Sequence, residues 1–542
     1  MSSFRRADAL DALRATVFDV VVIGAGMTGC GVALDAGSRG LSVALLDAGD
    51  IASGTSSKSS KMVHGGLRYL QHREFRLVYE NLRERQRLLH NAPFLVRPLP
   101  FLIPLFGTGG LVSSTVTRAY ATALRLYDLT GGWRIGQRYQ RVTRAEALEH
   151  LPTLRADNLV SGFLYFDARG DDARVALALA RTAALDFGAQ VASYVRVTSI
   201  NRDTQGGVTT VVGVDQLSGA EYTVRTKSVV NATGVWADDI FSLAEHTPSH
   251  RVTPAKGVHL SVAHDRLPAD VAAILNVPGD RRSIFVVPFE DAAFTFIGTT
   301  DTAYDGSLDS PFCTPEDVAY LLAAVNASTS SDLQPRDVTG LWAGLRPLLT
   351  PPKDSELPER TSDLSRRHLV VDSGDGVVHV TGGKWTTYRK MAEDAVDALG
   401  PYLTRLARTK TVHLRLHGTG AWRPSNELEA RLYRRYGDDT LTLLAMMKDE
   451  PNLADTPIEG QPYLGVEFVY AARAEMATSL VDLLTRRTRA HLHDARATLG
   501  ASSAIARLVA RDLGWDQVEQ DRQVAEYDQL VRLEFHAAGL VL

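Results

Sequence analysis

Only two cysteines, Cys30 and Cys313, occur in 542 residues. Two thiols cannot staple a disulfide framework or fill a thiolate metal site, and their scarcity suits a reducing cytoplasm. Excess charge is also missing: 59 basic against 63 acidic residues leave a formal net charge of −4, with no global attraction for nucleic acid or anionic lipid. There is no internal repeat, no low-complexity tract and no uninterrupted membrane-spanning run. The most apolar window, residues 94–116, is broken by Pro98, Pro100 and Pro104 and then by Gly107, Gly109 and Gly110. Residues 1–13 are charged and lack the apolar stretch of a secretory signal. Contact with a membrane would therefore be one-sided, through a surface patch.

What is present begins at once. Residues 18–46 read strand, glycine turn, helix, strand, with Gly24-Ala-Gly-Met-Thr-Gly29 at the turn and Asp47 closing the second strand. Gly24 permits the tight turn, Gly26 lets the backbone approach a pyrophosphate at the helix N-terminus, Gly29 lets helix and strand pack closely, and Asp47 can accept ribose hydroxyls. The unit predicts a bound dinucleotide without separating FAD from NAD. Two later strand-to-helix turns, residues 231–237 and 381–388, either approach the same cofactor or are ordinary connections. The densest polar run, Gly54 to Tyr69, reads as site lining. Arg68, Lys256 with His259, Arg282, Arg346 and Arg366 form a scattered basic set that residue type alone would not select.

The spacing of Phe75, Val78, Leu82 and Leu89 predicts a helix over 73–90, and Asp171 or Asp172 caps another running to about Phe187, stopped by Gly188. Strands are expected near 190–198, 207–214 and 222–231, and a strand pair at 283–288 and 294–298 around Glu290-Asp291. After about residue 410, charged helical patterns at 425–436, 466–494 and 503–535 mark a separate helical domain.

The run Ser56-Ser-Lys-Ser-Ser-Lys-Met-Val-His-Gly-Gly-Leu-Arg-Tyr-Leu70 closely resembles the FAD-dependent, respiratory glycerol-3-phosphate dehydrogenases. The likeness continues in order through Val230-Asn-Ala-Thr-Gly-Val-Trp236, Lys256-Gly-Val-His259, Gly298-Thr-Thr-Asp301, Gly344-Leu-Arg-Pro347 and Gly382-Gly-Lys-Trp-Thr-Thr-Tyr-Arg389, over residues 18–400. It implies an α/β fold: a Rossmann-type FAD-binding domain of the glutathione-reductase/D-amino-acid-oxidase type (about 18–72, 170–240 and 345–400), an interleaved antiparallel-sheet substrate domain (about 73–169 and 241–344) and an all-α C-terminal domain (411–542). Residues 1–17 would be an N-terminal tail.

The resemblance implies FAD contacts from Gly24, Gly26, Met27, Thr28, Gly29 and Asp47; from Thr55, Ser56, Ser57, Ser59, Ser60, Lys61, His64, Gly65 and Gly66; from Val197, Thr233, Gly234 and Trp236; and from Gly383, Lys384, Trp385, Thr386 and Thr387. It implies a substrate phosphate held by Arg68, Tyr69, Arg282, Thr299, Arg346 and Arg366, which suits a dianion, because guanidinium forks give bidentate, permanently charged recognition. In the implied reaction the C2 hydrogen of sn-glycerol 3-phosphate passes as hydride to the flavin while His64 or His259 takes the hydroxyl proton, leaving dihydroxyacetone phosphate. Arg346 or Arg366 would stabilise the developing alkoxide. Either histidine can equally be structural.

The implied electron acceptor is a membrane quinone, reached by a homodimer bound peripherally at the cytoplasmic face. The basic clusters Arg431, Arg434, Arg435 and Arg486, Arg487, Arg489 would face anionic headgroups or solvent. Rival readings are an oxidase that releases hydrogen peroxide, a flavin-fold binding module without catalysis, and an amino-acid oxidase, against which the arginines argue.

Overall fold

Val20–Ile23 and Val43–Leu46 are buried along their whole length, and the helix between them, Met27–Ser38, is buried on nearly every side. Strands without a polar face belong inside a parallel sheet covered on both sides. The computed structural model describes residues 4–67, 74–107, 114–245, 251–280, 282–350 and 367–542. In it these strands are central in a six-stranded sheet ordered His368–Asp372, Val377–Gly382, Val229–Asn231, Val20–Ile23, Val43–Leu46, Gln190–Ala192. All pairings are parallel except that of the edge strand His368–Asp372.

Met27–Ser38 packs on one face of this sheet against Asp172–Phe187 and Tyr388–Asp397. The approach depends on Gly31, where a Cβ would lie 2.6 Å from the Tyr388 ring. Asp171 caps Asp172–Phe187 by accepting from Arg174 N, and Gly188 ends it in the left-handed conformation. A four-stranded sheet, Val17–Phe18, Glu221–Thr226, Val208–Asp215 and Val195–Arg202, covers the other face. The segment expected as an N-terminal tail holds a helix, Arg6–Ala15, which buries Ala9 and Leu13 and pairs Arg6 with Asp215.

A ten-stranded sheet adjoins the nucleotide fold. Its long hairpin-like pair, Val252–Ala263 with Val338–Leu349, runs beside Phe294–Gly298 and then Ser283–Pro288. The sheet departs from the expected antiparallel pattern at one pairing, where Ala272–Asn276 runs parallel to Val96–Phe106. These two strands are distant in sequence, and a long connection permits parallel pairing. Pro98, Pro100 and Pro104 lie in Val96–Phe106 at alternate positions, so their missing N–H groups fall on one side of the strand.

The C-terminal helices are Glu427–Tyr436, Thr440–Asp449, Gly465–Ala474, Ala495–Leu513 and Gln517–Ala537. The pattern over 466–494 is not one helix: Gly465–Ala474 is followed by the short turns Leu480–Asp482, Leu483–Arg487 and Ala490–His493. The pattern over 503–535 is broken at Gly514, which caps the first of two helices in the left-handed conformation. The two basic clusters are turned inward onto carboxylates, with Arg434 alone at a partly open rim: Arg487 and Arg489 are buried. Asp50 receives Arg486 at 2.6 Å and Arg487 at 2.7 Å, Arg489 pairs with Asp171 at 2.6 Å and with Asp172 at 2.5 Å, and Glu467 takes both Arg431 and Arg435 at 3.1 Å. Buried charges persist only when paired in this way. Among the described residues no helix is long and apolar enough to cross a membrane.

Candidate active site

Three turns meet at the carboxyl ends of adjacent parallel strands: Gly24 after Val20–Ile23, Ala232–Thr233 after Val229–Asn231, and Gly382–Gly383 after Val377–Gly382. Ligands of open α/β sheets bind at that edge. Gly24 has φ +101°, and a Cβ there would lie 2.8 Å from Ala232 O. A Cβ on Gly29 would fall 1.7 Å from Gly24 O, so helix and turn touch as only glycine allows. The N-terminus of Met27–Ser38 opens onto the Thr55–Ser57 turn, with Met27 N donating to Ser56 Oγ at 2.8 Å. Gly26 and Thr28 stay partly exposed there while Met27 and Gly29 are buried.

Asp47 accepts from Ala25 N at 2.5 Å and Gly49 N at 2.8 Å. Burial pushes its carboxyl up to about 6, with Asp50 adding to the shift and both N–H groups and Arg486 opposing it. Val197 lies beyond it in the strand whose Val195 N donates to Asp47 O at 2.6 Å. At the second turn Thr233 donates to Asn231 Oδ1, and Gly234–Trp236 forms one short turn of helix. The Trp236 ring covers Gly54, where a Cβ would come within 2.9 Å of it. At the third turn Gly382 and Gly383 have φ +74° and +71°, Lys384 precedes the short turn Trp385–Thr387, Thr386 and Thr387 are buried, and Trp385 packs on Gly170. A helix N-terminus, a glycine cradle and a carboxylate with spare acceptor capacity fit the pyrophosphate and ribose of a dinucleotide.

The run after Gly54 stitches the two sheets together. Thr55 Oγ1 donates to Leu345 O at 2.6 Å, Ser57 Oγ to Gly54 O at 3.3 Å, and Ser59 donates through N and Oγ to Asp172 at 2.9 and 2.6 Å. Lys61 Nζ donates to Ser57 O at 3.1 Å and Asp172 at 3.2 Å, and burial brings its ammonium down to about 8 against the pull of Asp172. His64 follows the strand Met62–Val63 and is only partly buried. Its loop is anchored at Gly65, whose N donates to Tyr127 Oη at 2.9 Å and whose carbonyl accepts from Asn81 at 3.1 Å. Gly66 continues it with φ +83°. Behind the loop, Asp167 binds Tyr127 at 2.7 Å and Arg85 at 2.6 Å.

On the large sheet, two arginines converge on the turn that follows Phe294–Gly298. Arg346 donates to Thr299 Oγ1 at 3.2 Å, Thr300 O at 3.1 Å, Asp301 at 3.3 Å and Lys256 O at 3.3 Å. Arg282 donates to Asp301 O at 3.2 Å and pairs with Asp280 at 2.6 Å. Gly257 makes room, since a Cβ there would lie 2.4 Å from the Arg346 guanidinium. His259, two residues on and on the same face, is buried; its Nε2 meets Ser60 Oγ at 2.7 Å and its ring stacks on Trp342 at 4.8 Å. Burial first, then the charges of Lys61 and Arg346, hold it well below the usual imidazole range, so it is neutral. Lys256 points elsewhere, to Asp317 at 2.6 Å. Arg68, Tyr69 and Arg366 lie outside the described residues. Sequence reasoning missed Trp342 and the Asp167–Tyr127–Arg85 anchor, which carry no local signal, and quoted Asp301 in the Gly298–Asp301 motif without giving it a role.

The family model for FAD dependent oxidoreductases matches residues 19–389, and that for the C-terminal domain of alpha-glycerophosphate oxidase matches residues 378–520. Glycerol-3-phosphate dehydrogenase 2 of Mycobacterium tuberculosis is 41% identical over 98% of this chain and 91% of its own length. The human mitochondrial glycerol-3-phosphate dehydrogenase is 35% identical over 96% of this chain and 74% of its own. The crystal structure of glycerol-3-phosphate dehydrogenase from Bacillus halodurans complexed with FAD matches with a TM-score of 0.78 at 30% identity, each chain covered in full. An L-alpha-glycerophosphate oxidase from Mycoplasma pneumoniae, at 18% identity and a TM-score of 0.57, shares the fold. Kinship of this extent, over a cradle shaped for a dinucleotide, makes the chain a member of the FAD-dependent glycerol-3-phosphate dehydrogenase family, with FAD as its cofactor.

Proposed function

We propose that the protein oxidises sn-glycerol 3-phosphate to dihydroxyacetone phosphate and delivers the electrons to a membrane quinone. The observation that carries the substrate assignment is the convergence of Arg346 and Arg282 on Thr299 and Asp301, beside the His259–Ser60 contact. A phosphate monoester is a dianion near neutral pH, and two guanidinium groups on one turn supply the forked donors it needs. In this reading Arg68, Tyr69 and Arg366 complete the phosphate contacts.

Bound FAD supplies the hydride acceptor for C2. The chain's own residues do the rest. Arg346 and Arg282 hold the phosphate and so set the distance of the carbinol carbon. The hydroxyl proton goes to His64, which is partly exposed and sits on a loop locked by Tyr127 and Asp167. The burial that keeps His259 neutral makes it a poor base, and its Nε2 is occupied by Ser60. Its place is to orient Ser60 and, stacked on Trp342, to wall the site against water.

The quinone in this reading follows from the resemblance to the respiratory dehydrogenases, and oxygen is the alternative acceptor. Peripheral contact with the cytoplasmic face of a membrane and a homodimer belong to the same reading. The test is reoxidation of substrate-reduced protein by a short-chain quinone, compared with air. Faster reoxidation by the quinone supports the assignment; peroxide formed in step with substrate consumption would make the protein an oxidase.

A further inference from the structure

Arg97 Nε, Arg431 Nη2, Arg434 Nε and His493 Nδ1 are sealed from solvent and meet no hydrogen-bond partner among the described residues. All four side chains line one cavity of about 110 Å³ between the large sheet and the C-terminal helices. Buried donors are rarely left unpaired, and a cationic one is the most costly to leave so. Three cationic donors around a single void, with the partnerless ring nitrogen of His493 beside them, mark a missing acceptor.

The charge balance says what kind. Seven basic side chains line the cavity against three carboxylates, and against five when Asp172 and Glu467 just behind the wall are added, an excess of two positive charges. The carboxylates are shared: Glu290 serves Arg97 and Arg169, and Glu467 serves Arg431 and Arg435. Asp291 pairs with Arg434 at 2.6 Å, and Glu427, its second partner, is exposed to solvent. Burial holds the Arg97 and Arg169 guanidinium groups below their usual range despite Glu290 and Asp291, so for these two the acids present do not offset the loss of water, as they do for Arg434, Arg435 and Arg489.

The space is several times the 10–15 Å³ or so that one water needs, enough for a phosphate group and too little for a nucleotide. A surface depression lined by residues 456 and 458–462 shares Asp291 and Pro462 with it and leads to solvent. Lys61, which lines the cavity, lies over the face of Trp342 at 5.1 Å, and the Trp342 ring in turn stacks on His259, so a lysine and an indole stand between the cavity and that histidine.

We propose that this cavity binds a small dianion of the phosphate class, either inorganic phosphate or the phosphate group of a small metabolite, and that the ligand ties the C-terminal helices to the large sheet. Its acceptor oxygens would take Arg97 from the sheet and Arg431 and Arg434 from helix Glu427–Tyr436.

The test uses FAD-loaded protein carrying Arg346→Gln, which weakens anion binding at the active site as proposed above. Inorganic phosphate is titrated by calorimetry and by thermal unfolding, with chloride at equal ionic strength as the control. One equivalent of phosphate is expected to bind and raise the Tm beyond chloride. Adding Arg97→Gln or, at the more open rim, Arg434→Gln should raise that Kd about tenfold, the loss of one charge-assisted hydrogen bond. Should Arg346 not bind phosphate, two equivalents bind and only one responds to the cavity variants, which separates the two claims. Repeating the titration with methyl phosphate, a phosphate monoester with no carbinol for the flavin to oxidise, distinguishes an esterified phosphate from the free anion by which binds tighter. Arg97→Gln alone should leave the KM for sn-glycerol 3-phosphate unchanged. Stabilisation no greater than with chloride, phosphate binding indifferent to both cavity variants, or a KM that moves with Arg97 would overturn the proposal.

Discussion

Replacing Arg346 with glutamine removes a charge that reaches Thr299, Thr300 and Asp301 together, at 3.1 to 3.3 Å. The side chain is 24% exposed, so an uncharged glutamine can be accommodated without leaving a buried cavity. If the guanidinium anchors the substrate's phosphate, the loss is that of a charge-assisted hydrogen bond, about 1.5–3 kcal/mol. Affinity for sn-glycerol 3-phosphate should then fall about 10- to 150-fold. Because the contact is made equally in ground and transition states, the limiting rate of flavin reduction should barely change. Anaerobic stopped-flow reduction separates the two quantities. Glycerol is the control: lacking the phosphate, it should be oxidised with the same kcat/KM by both proteins. A reduced limiting rate with affinity intact would refute the anchoring role and put Arg346 at the alkoxide. Equal losses for glycerol and its phosphate would show a structural defect instead.

His64→Asn should lower kcat with little change in KM, whereas His259→Asn, which keeps a hydrogen-bonding group toward Ser60, should retain most of the wild-type rate; steady-state assays of both decide the base. FAD affinity should be flat above pH 6 and weaken by about one log unit per pH unit below it, because the Asp47 carboxyl holds its proton up to about pH 6 and must lose it to accept the ribose hydroxyls; fluorescence titration of the apoprotein with FAD reads this directly. Gly29→Val should give protein purified without flavin absorbance, since even a Cβ would stand 1.7 Å from Gly24 O and push the helix off its turn.

The nucleotide half of the site was legible because its chemistry is local. Gly24, Gly26, Gly29 and Asp47 belong to one βαβ unit, and the cap at Asp171 and stop at Gly188 sit at the two ends of a single helix. The strands 283–288 and 294–298 were equally visible, each being a short apolar run beside a polar turn. The substrate half depends on register. Gly257, His259 and Arg346 come from two strands and Thr299 from the turn after a third, and only the pairing of Val252–Ala263 with Val338–Leu349 and Phe294–Gly298 aligns them, so residue type alone could not select them. Family resemblance supplied those positions; the geometry explains Arg346, Arg282 and Thr299 and turns Lys256 away. The basic helices misled for the same reason. Arg486 looks like a solvated charge until Asp50, 436 residues earlier, is seen against it.

The central claim is tested most directly by anaerobic addition of sn-glycerol 3-phosphate to the FAD-loaded protein. Full bleaching of the flavin absorbance by one equivalent, with dihydroxyacetone phosphate formed in equal amount, is the predicted result. A flavin that stays oxidised under excess sn-glycerol 3-phosphate, or that bleaches with an amino acid instead, would contradict it.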